Sequence, residues 1–490
     1  MNVGTVFGLV ALTYSLLYLA DTLFRTWNTL AYIHWLRKTG FEIGLLQIRW
    51  CTNRFNQIIR RFGKRYSSLL SKWFTIGAVV SSLLIIPSIY ILIVALIDQL
   101  SPHEDQTKRK VVIQPVLPGV NIPNSELGYY FVSLLVCTVY HELGHAVSAS
   151  SENVQVLGFG VFVLFLLPAA FVDLPTDQLM DKSSLAKLRV FSAGVWHNLI
   201  LVFVGYLISG SLPWLVNPLY TSGMGPCVTH VVPESPVTGP SGLKPGDALY
   251  TFSGQEISNK EEFKSMIVRA IETENEGYCL DHSLLESITG NSTTYTSVNR
   301  DCCRNASQSL CFNVNQRNRN VCVNVRTLLS VVSVTYPNHV SCGEEEEFIR
   351  PILDGNTTKF ITIHRKDDKD FLFVGNPALI YTSTEVSDYC PRLSLLPRTL
   401  PDMVSKLCKY TISFSSGLAV LNVIPSLLLD GQHMIKVLLE MLLRGEHARY
   451  RDVSQLVLTS LGTGLVVSNI LLGLYSLLTS GVPNVFSMGS

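Results

Sequence analysis

Charged side chains are scarce in this sequence, and that scarcity is the first constraint on what the protein can be. Aspartate, glutamate, lysine and arginine make up 15% of its 490 residues and nearly cancel, leaving a net charge of +1. With 47% hydrophobic residues beside so little charge, the chain is too apolar for an ordinary soluble enzyme. Blocks of basic residues interleaved with aromatics are missing, which sets nucleic acid aside as a partner. Clean Cys-x-x-Cys pairs are missing too, which argues against a cysteine-based zinc module. No basic stretch precedes the first apolar run, Val3 to about Phe24, and no clear small-residue cleavage site follows it. That run therefore reads as a retained span rather than a cleaved signal.

The apolar residues are gathered into long runs. Besides the first, runs at roughly 74 to 98, 129 to 150, 188 to 212, 403 to 429 and 453 to 479 each supply the ~20 residues a bilayer crossing needs. The fold expected is a polytopic α-helical membrane protein with about six transmembrane helices. A further run, GFGVFVLFLLPAAFV at 158 to 172, alternates β-branched and aromatic residues around Gly158, Gly160 and Pro168, which suits a re-entrant or strand-like element. Between the first two spans lie Arg25, Arg37, Lys38, Arg49, Arg54, Arg60, Arg61, Lys64, Arg65 and Lys72 against the single acid Glu42, so this loop is assigned to the cytosol. Counting onward, residues 213 to 402 fall in the lumen, provided the run at 158 to 172 does not cross.

That segment holds the sequons at Asn291, Asn305 and Asn356, and eight of the eleven cysteines: Cys227, Cys279, Cys302, Cys303, Cys311, Cys322, Cys342 and Cys390. Both features fit an oxidising, glycosylating lumen and a disulfide framework whose pairing the sequence does not choose. GPCVTHVVPESPVTGPSGLKPGDALYTFSGQEI, with Gly242 to Asp247 and a turn at Gly254, looks like the opening of a PDZ domain of the protease-associated kind. The closing strands follow in FITIHRKDDKDFLFVG and PALIYTST, which makes the Cys-rich stretch at about 276–350 an insertion. The acidic run Glu344 to Glu347 reads as a solvated loop. The expected division is thus 1–126, two spans with the basic loop; 127–215, the first part of a membrane core; 216–402, the lumenal domain; and 403–490, the second part of the core with the last span.

Inside the run FVSLLVCTVYHELGHAV stand His141, Glu142 and His145, where a membrane helix offers no reason for ionisable groups. Four residues apart on a helix, the two imidazoles share a face and can reach one metal ion, with Glu142 beside them as a base. A catalytic zinc usually takes three protein ligands and keeps the fourth position for water, so one donor must come from elsewhere. Asp430, in NVIPSLLLDGQHM at the end of the fifth run, ranks first because topology puts it at the membrane depth of the histidines. His433 ranks second and His197, in SAGVWHN, third. Asn198 and Asn422 offer amides that could bind an extended substrate backbone or an oxyanion, or simply join helices.

Taken together, HELGH at 141 to 145, GFGVFVLFLLPAAFVDL at 158 to 174, Ala193-Gly-Val-Trp-His-Asn198, the interrupted PDZ-like domain, and Asn422-Val-Ile-Pro425 leading into Leu429-Asp430-Gly431 resemble the site-2 protease family of intramembrane zinc metalloproteases, above all its animal members. The resemblance implies that His141, His145 and Asp430 bind one Zn2+, that Glu142 is catalytic, and that Asn198 and Asn422 line the site. It further implies substrates that are transmembrane proteins already cut in the lumen by another protease. These would be membrane-tethered transcription factors such as the sterol regulatory element-binding proteins, their cytosolic part being released in a Golgi or endoplasmic reticulum membrane. Two departures touch loops only: no second proline stands between Asn422 and the Asp-Gly pair, and a serine-rich tract is absent from the loop at 99 to 126. The rival reading is a catalytically inactive relative that binds zinc or holds substrate helices, against which the presence of Glu142 counts.

Overall fold

The computed structural model describes residues 3–101, 123–165, 167–239, 241–273, 277–289, 295–296, 303, 309–314, 319–331, 342–343, 346–353, 357–366, 370–393 and 395–479. The chain forms two compact units, Met1–Gly210 with Ser405–Ser490, and Ser211–Val404. All three sequon asparagines, Asn291, Asn305 and Asn356, lie outside the described residues.

The first unit begins with helices α1 (Val3–Thr26) and α2 (Leu30–Thr39), strands β1 (Phe41–Gly44) and β2 (Gln47–Thr52), and helices α3 (Asn56–Arg65) and α4 (Ser67–Leu100). It continues with α5 (Leu127–Ser151), β3 (Gly158–Leu164), β4 (Leu167–Asp173), α6 (Thr176–Met180) and α7 (Ser184–Val216). Each of the six long apolar runs is helical at least in part. By length and composition, three helices qualify as membrane-crossing among the described residues: Ser67–Leu100, Ser184–Val216 and His447–Ser476.

The run at 158–172 supplies two strands, Gly158–Leu164 and Leu167–Asp173. β3 and β4 form an antiparallel hairpin, Gly158 opposite Asp173 through Leu164 opposite Leu167, so the chain returns to the end from which it entered. The basic loop contributes to the same sheet, which the sequence reading had not anticipated: β2 pairs with β1 on one side and with β3 on the other, giving the order β1-β2-β3-β4. β4 is one of the two outer strands and lies against α5.

α5 runs without proline and ends in a left-handed cap, where Asn153 takes φ 58° and Val154 N–H reaches back to the Ala149 carbonyl at 2.8 Å. Its second half is buried from Gly144 to Ser151, and Ala146 and Val147 share a core with Ile59, Leu70, Phe74 and Ala193. Polar ties fix the neighbouring helices. Arg189 of α7 donates to Glu152 at 2.6 Å and to Thr75 of α4 at 2.9 Å.

The second unit opens with β5 (Tyr220–Val231), β6 (Leu249–Phe252), β7 (Gln255–Glu256) and α8 (Lys260–Glu272). Asn259 caps α8 by accepting from Glu262 N–H at 2.9 Å, while the Glu262 carboxylate accepts from Ser258 N–H at 2.9 Å. An inserted subdomain follows, with β8 (Tyr278–Asp281), α9 (His282–Thr289), β9 (Tyr295–Thr296), β10 (Ser309–Val314), β11 (Arg319–Asn324), α10 (Val325–Val331) and β12 (Glu346–Pro351). Its five strands run in the order β8-β12-β10-β11-β9 around a core of their own.

The chain then resumes the earlier sheet with β13 (Lys359–Arg365), β14 (Phe371–Gly375), α11 (Ala378–Ser383) and β15 (Thr384–Pro391). β13 pairs with β6 across the insertion, and buried Arg365 donates to Asp247 at 2.8 Å, which ties the Gly242–Asp247 turn to the later strand. β5 and β15 pair and are joined by Cys227–Cys390; Cys279–Cys342 and Cys303–Cys322 brace the insertion, where Cys311 is also disulfide-bonded.

The acidic run departs from the expected solvated loop. Glu346 and Glu347 belong to β12, and Glu347 is fully buried with His282 Nδ1 at 3.0 Å. Glu344 and Glu345 lie outside the described residues.

The chain re-enters the first unit through α12 (Leu400–Asn422), followed by α13 (Asp430–Leu442) and α14 (Arg451–Thr479). The apolar run expected to extend to 429 stops being helical at Asn422, because Pro425 cannot continue the ladder. Residues 423–429 form a turn braced by α14, where the Thr463 hydroxyl accepts from Leu427 N–H at 3.0 Å.

Candidate active site and metal centre

Because α5 buries His141 and His145 one turn apart, their Nε2 atoms come within 3.2 Å of each other. The turn after α12 delivers Asp430 as the first residue of α13, and its Oδ2 lies 3.0 Å from His141 Nε2 and 3.3 Å from His145 Nε2. A tetrahedral zinc with bonds of about 2.0–2.1 Å holds neighbouring ligand atoms about 3.3 Å apart. The triangle of 3.0, 3.2 and 3.3 Å is therefore dimensioned, with slight contraction, for one small cation. Two neutral imidazoles and a carboxylate are the donor chemistry zinc takes, and three protein donors leave one tetrahedral position for water or substrate. No fourth His, Cys, Asp or Glu joins this group among the described residues.

The other candidates separate clearly. His433 is stacked on Phe191 with ring centroids 4.8 Å apart, and His197 lies between Tyr140 and Phe74 with its Nδ1 3.1 Å from the Tyr140 carbonyl; neither belongs to the metal-sized cluster. Cys279, Cys342 and Glu346 also converge in the second unit, but the two sulfurs are spent in a disulfide. Asn422, the last residue of α12, is half-buried and makes no hydrogen bond to the cluster among the described residues. Glu142 follows His141 directly and is half-buried, on the helix that packs against β4.

Of the face of α7 turned to the histidines, the sequence pointed to Asn198 but not to Val190 or to a role for Gly194. His145 Nδ1 lies 2.7 Å from the Val190 carbonyl, so it carries the proton and leaves Nε2 with a lone pair. Asn198 places its side-chain nitrogen 3.0 Å from His141 Nδ1, and its Oδ1 is buried without a hydrogen-bond partner. Between them, a Cβ on Gly194 would lie 2.4 Å from His145 Nε2 and 2.5 Å from His141 Nε2. A backbone carbonyl leaves no signal in sequence, and Gly194 was visible only as part of a motif with no role attached.

Two histidines and an aspartate converging on one point, with a glutamate alongside, define a metallohydrolase centre, here built among long apolar helices. The chain belongs to peptidase family M50, whose sequence model matches residues 129–465, and it is a membrane metalloprotease of the site-2 protease family. It is 24% identical over 445 residues to the membrane-bound transcription factor site-2 protease homolog of Arabidopsis thaliana, a match covering 78% of this chain and 83% of that one, so the likeness spans both units. It is also 28% identical over 163 residues to an uncharacterized protein of Methanocaldococcus jannaschii, covering 33% of this chain and 38% of the relative.

Proposed function

We propose that the protein is a zinc endopeptidase that cuts peptide bonds within transmembrane helices, releasing the cytosolic part of membrane-bound transcription factors such as the sterol regulatory element-binding proteins after a first cut on the lumenal side. The observation that carries this reading is the triangle of His141, His145 and Asp430 donors next to Glu142. A zinc ion held by those three residues supplies Lewis acidity for a substrate carbonyl and for the activation of water. Glu142 takes the proton from the attacking water and returns it to the leaving amine nitrogen. A substrate helix hides its carbonyls in its own hydrogen bonds and has to unwind before attack. β4 is an outer strand of its sheet and lies beside α5, so an unwound segment can add to its edge next to Glu142. Asn422 offers an amide to that extended backbone.

The proposed location is the Golgi membrane, or that of the endoplasmic reticulum, with the metal centre toward the cytosol and residues 213–402 in the lumen. The cysteine chemistry supports that orientation. The free cysteines Cys51, Cys137 and Cys408 all belong to the first unit, while the disulfides Cys227–Cys390, Cys279–Cys342 and Cys303–Cys322 all belong to the second. We read the second unit as a PDZ-like domain whose inserted subdomain screens substrates for the prior cut.

The test is cleavage of a transmembrane substrate by the wild type and by Glu142→Gln, with zinc measured in both. Stoichiometric zinc in both proteins and loss of at least ~100-fold in rate for the variant is expected of a general base. Undiminished cleavage by the variant would overturn the assignment.

A further inference from the structure

α7 presents Val190, Gly194 and Asn198 at a spacing of four residues, which places them on one face, and each of the three touches a ring of the histidine pair. We infer that this face is a positioning device for the metal ligands, and that Asn198 acts through His141 rather than on the substrate. The inference rests on the zinc reading above.

The argument starts from what each imidazole needs. A histidine that gives Nε2 to a metal carries its proton on Nδ1 and requires an acceptor there. His145 has one in the Val190 carbonyl. For His141 the one group within hydrogen-bond reach of Nδ1, among the described residues, is the Asn198 side-chain amide at 3.0 Å. An amide can present either end. With its NH2 toward the ring, Asn198 donates to Nδ1, the ring proton sits on Nε2, and Nε2–H points to Asp430 Oδ2 at 3.0 Å. Turned by half a rotation, it offers Oδ1 to an Nδ1–H, and Nε2 is freed for metal; the two orientations are not distinguished by atom positions alone. The buried Oδ1, without a partner in the first orientation, gains one in the second. Asparagine thus serves both tautomers, which neither an apolar residue nor a carboxylate does. Gly194 completes the device by its missing side chain: with a Cβ 2.4–2.5 Å from ring atoms of both histidines, α7 could not stand close enough to hold either.

The experiment compares wild type, Asn198→Leu, Asn198→Asp and Gly194→Ala as purified full chains. Zinc dissociation constants are measured by chelator competition, with the thermal midpoint of each zinc-free protein and the cleavage rate alongside. Asn198→Leu removes the acceptor and is expected to weaken zinc 10–100-fold, the size usual for an outer-shell partner of a ligand histidine. Asn198→Asp retains an acceptor for Nδ1–H and is expected to bind zinc within a few-fold of wild type. Gly194→Ala is expected to lose zinc at least as severely as the leucine variant. Unchanged zinc affinity in Asn198→Leu, with cleavage lost or with only the zinc-free midpoint lowered, would overturn the inference in favour of a substrate-facing or purely interhelical role. Equal weakening in the aspartate and leucine variants would overturn it as well. A wild type that holds no stoichiometric zinc would instead sink the metal reading on which the inference stands.

Discussion

Asp430 reaches the histidines because of the residue after it. A Cβ on Gly431 would lie 2.1 Å from the Ile424 carbonyl oxygen, where the chain doubles back between the end of α12 and the start of α13. Gly431→Ala must push that turn open. It is predicted to cost about 1–3 kcal/mol in stability, the usual penalty for forcing a methyl into occupied space, and to lower zinc content with it. Thermal unfolding and metal analysis on the same preparation check both; a variant with full zinc and an unchanged midpoint would show that the turn yields freely. At this scale the sequence was legible wherever chemistry follows spacing. His141 and His145 declare themselves by being one helical turn apart, and Glu142 by its place between them. Asp430 could be ranked by membrane depth but became specific only with its family context. Gly194 and Val190 act through absent atoms and backbone, so no residue type announces them.

The four-stranded sheet shows how far an element's role can lie from its motif. β2 is an inner strand, bonded to β1 and β3, although it precedes His141 by about ninety residues. Ile48→Pro removes a backbone donor from an inner strand and is predicted to slow cleavage at least ~10-fold while zinc stays bound, because it loosens the sheet that lies against α5. Normal activity in that variant would separate the sheet from catalysis. The alternation over 158–172 was enough to suggest strands. β1 and β2, four and six residues long amid basic residues, were read only as a loop, since their hydrophobic partner lies far along the chain.

The root of α12 offers a second check at this scale. Lys260 Nζ donates to Asp402 Oδ1 at 2.7 Å, and Lys260 N–H donates to Asp388 Oδ1 at 2.7 Å. Burial disfavours the ammonium, but the Asp402 hydrogen bond and the charges of Asp402 and Asp388 outweigh it and raise the Lys260 pKa. A raised lysine contributes fully below its unfolded value of about 10.4 and loses that contribution only as pH climbs through the folded value. Lys260→Met is therefore predicted to destabilise the protein by about 1–3 kcal/mol, equally at pH 6 and pH 8. A penalty that changed between those two conditions would contradict the pairing.

For the molecule as a whole, the inserted subdomain is where the proposed order of cleavage can be tested. Its first and last strands, β8 and β12, are antiparallel neighbours with Tyr278 opposite Ile349, so residues 278–351 can be removed and the ends rejoined by a short turn. If the insertion screens substrates, its removal should raise cleavage of an uncut substrate relative to a pre-cut one, measured side by side in the same membranes. An unchanged ratio would place the screen elsewhere. The cysteine content pointed to a disulfide framework here, while the pairs Cys279–Cys342 and Cys303–Cys322 became readable only in three dimensions.

The family match begins at residue 129, whereas two of the four strands in the sheet beside α5 come from residues 41–52. The span of the family model and the span of that sheet therefore do not coincide. A fragment cut at the start of the match would carry His141, His145 and Asp430 and still expose the flank of β3. A portion that begins ahead of Phe41 keeps all four strands together.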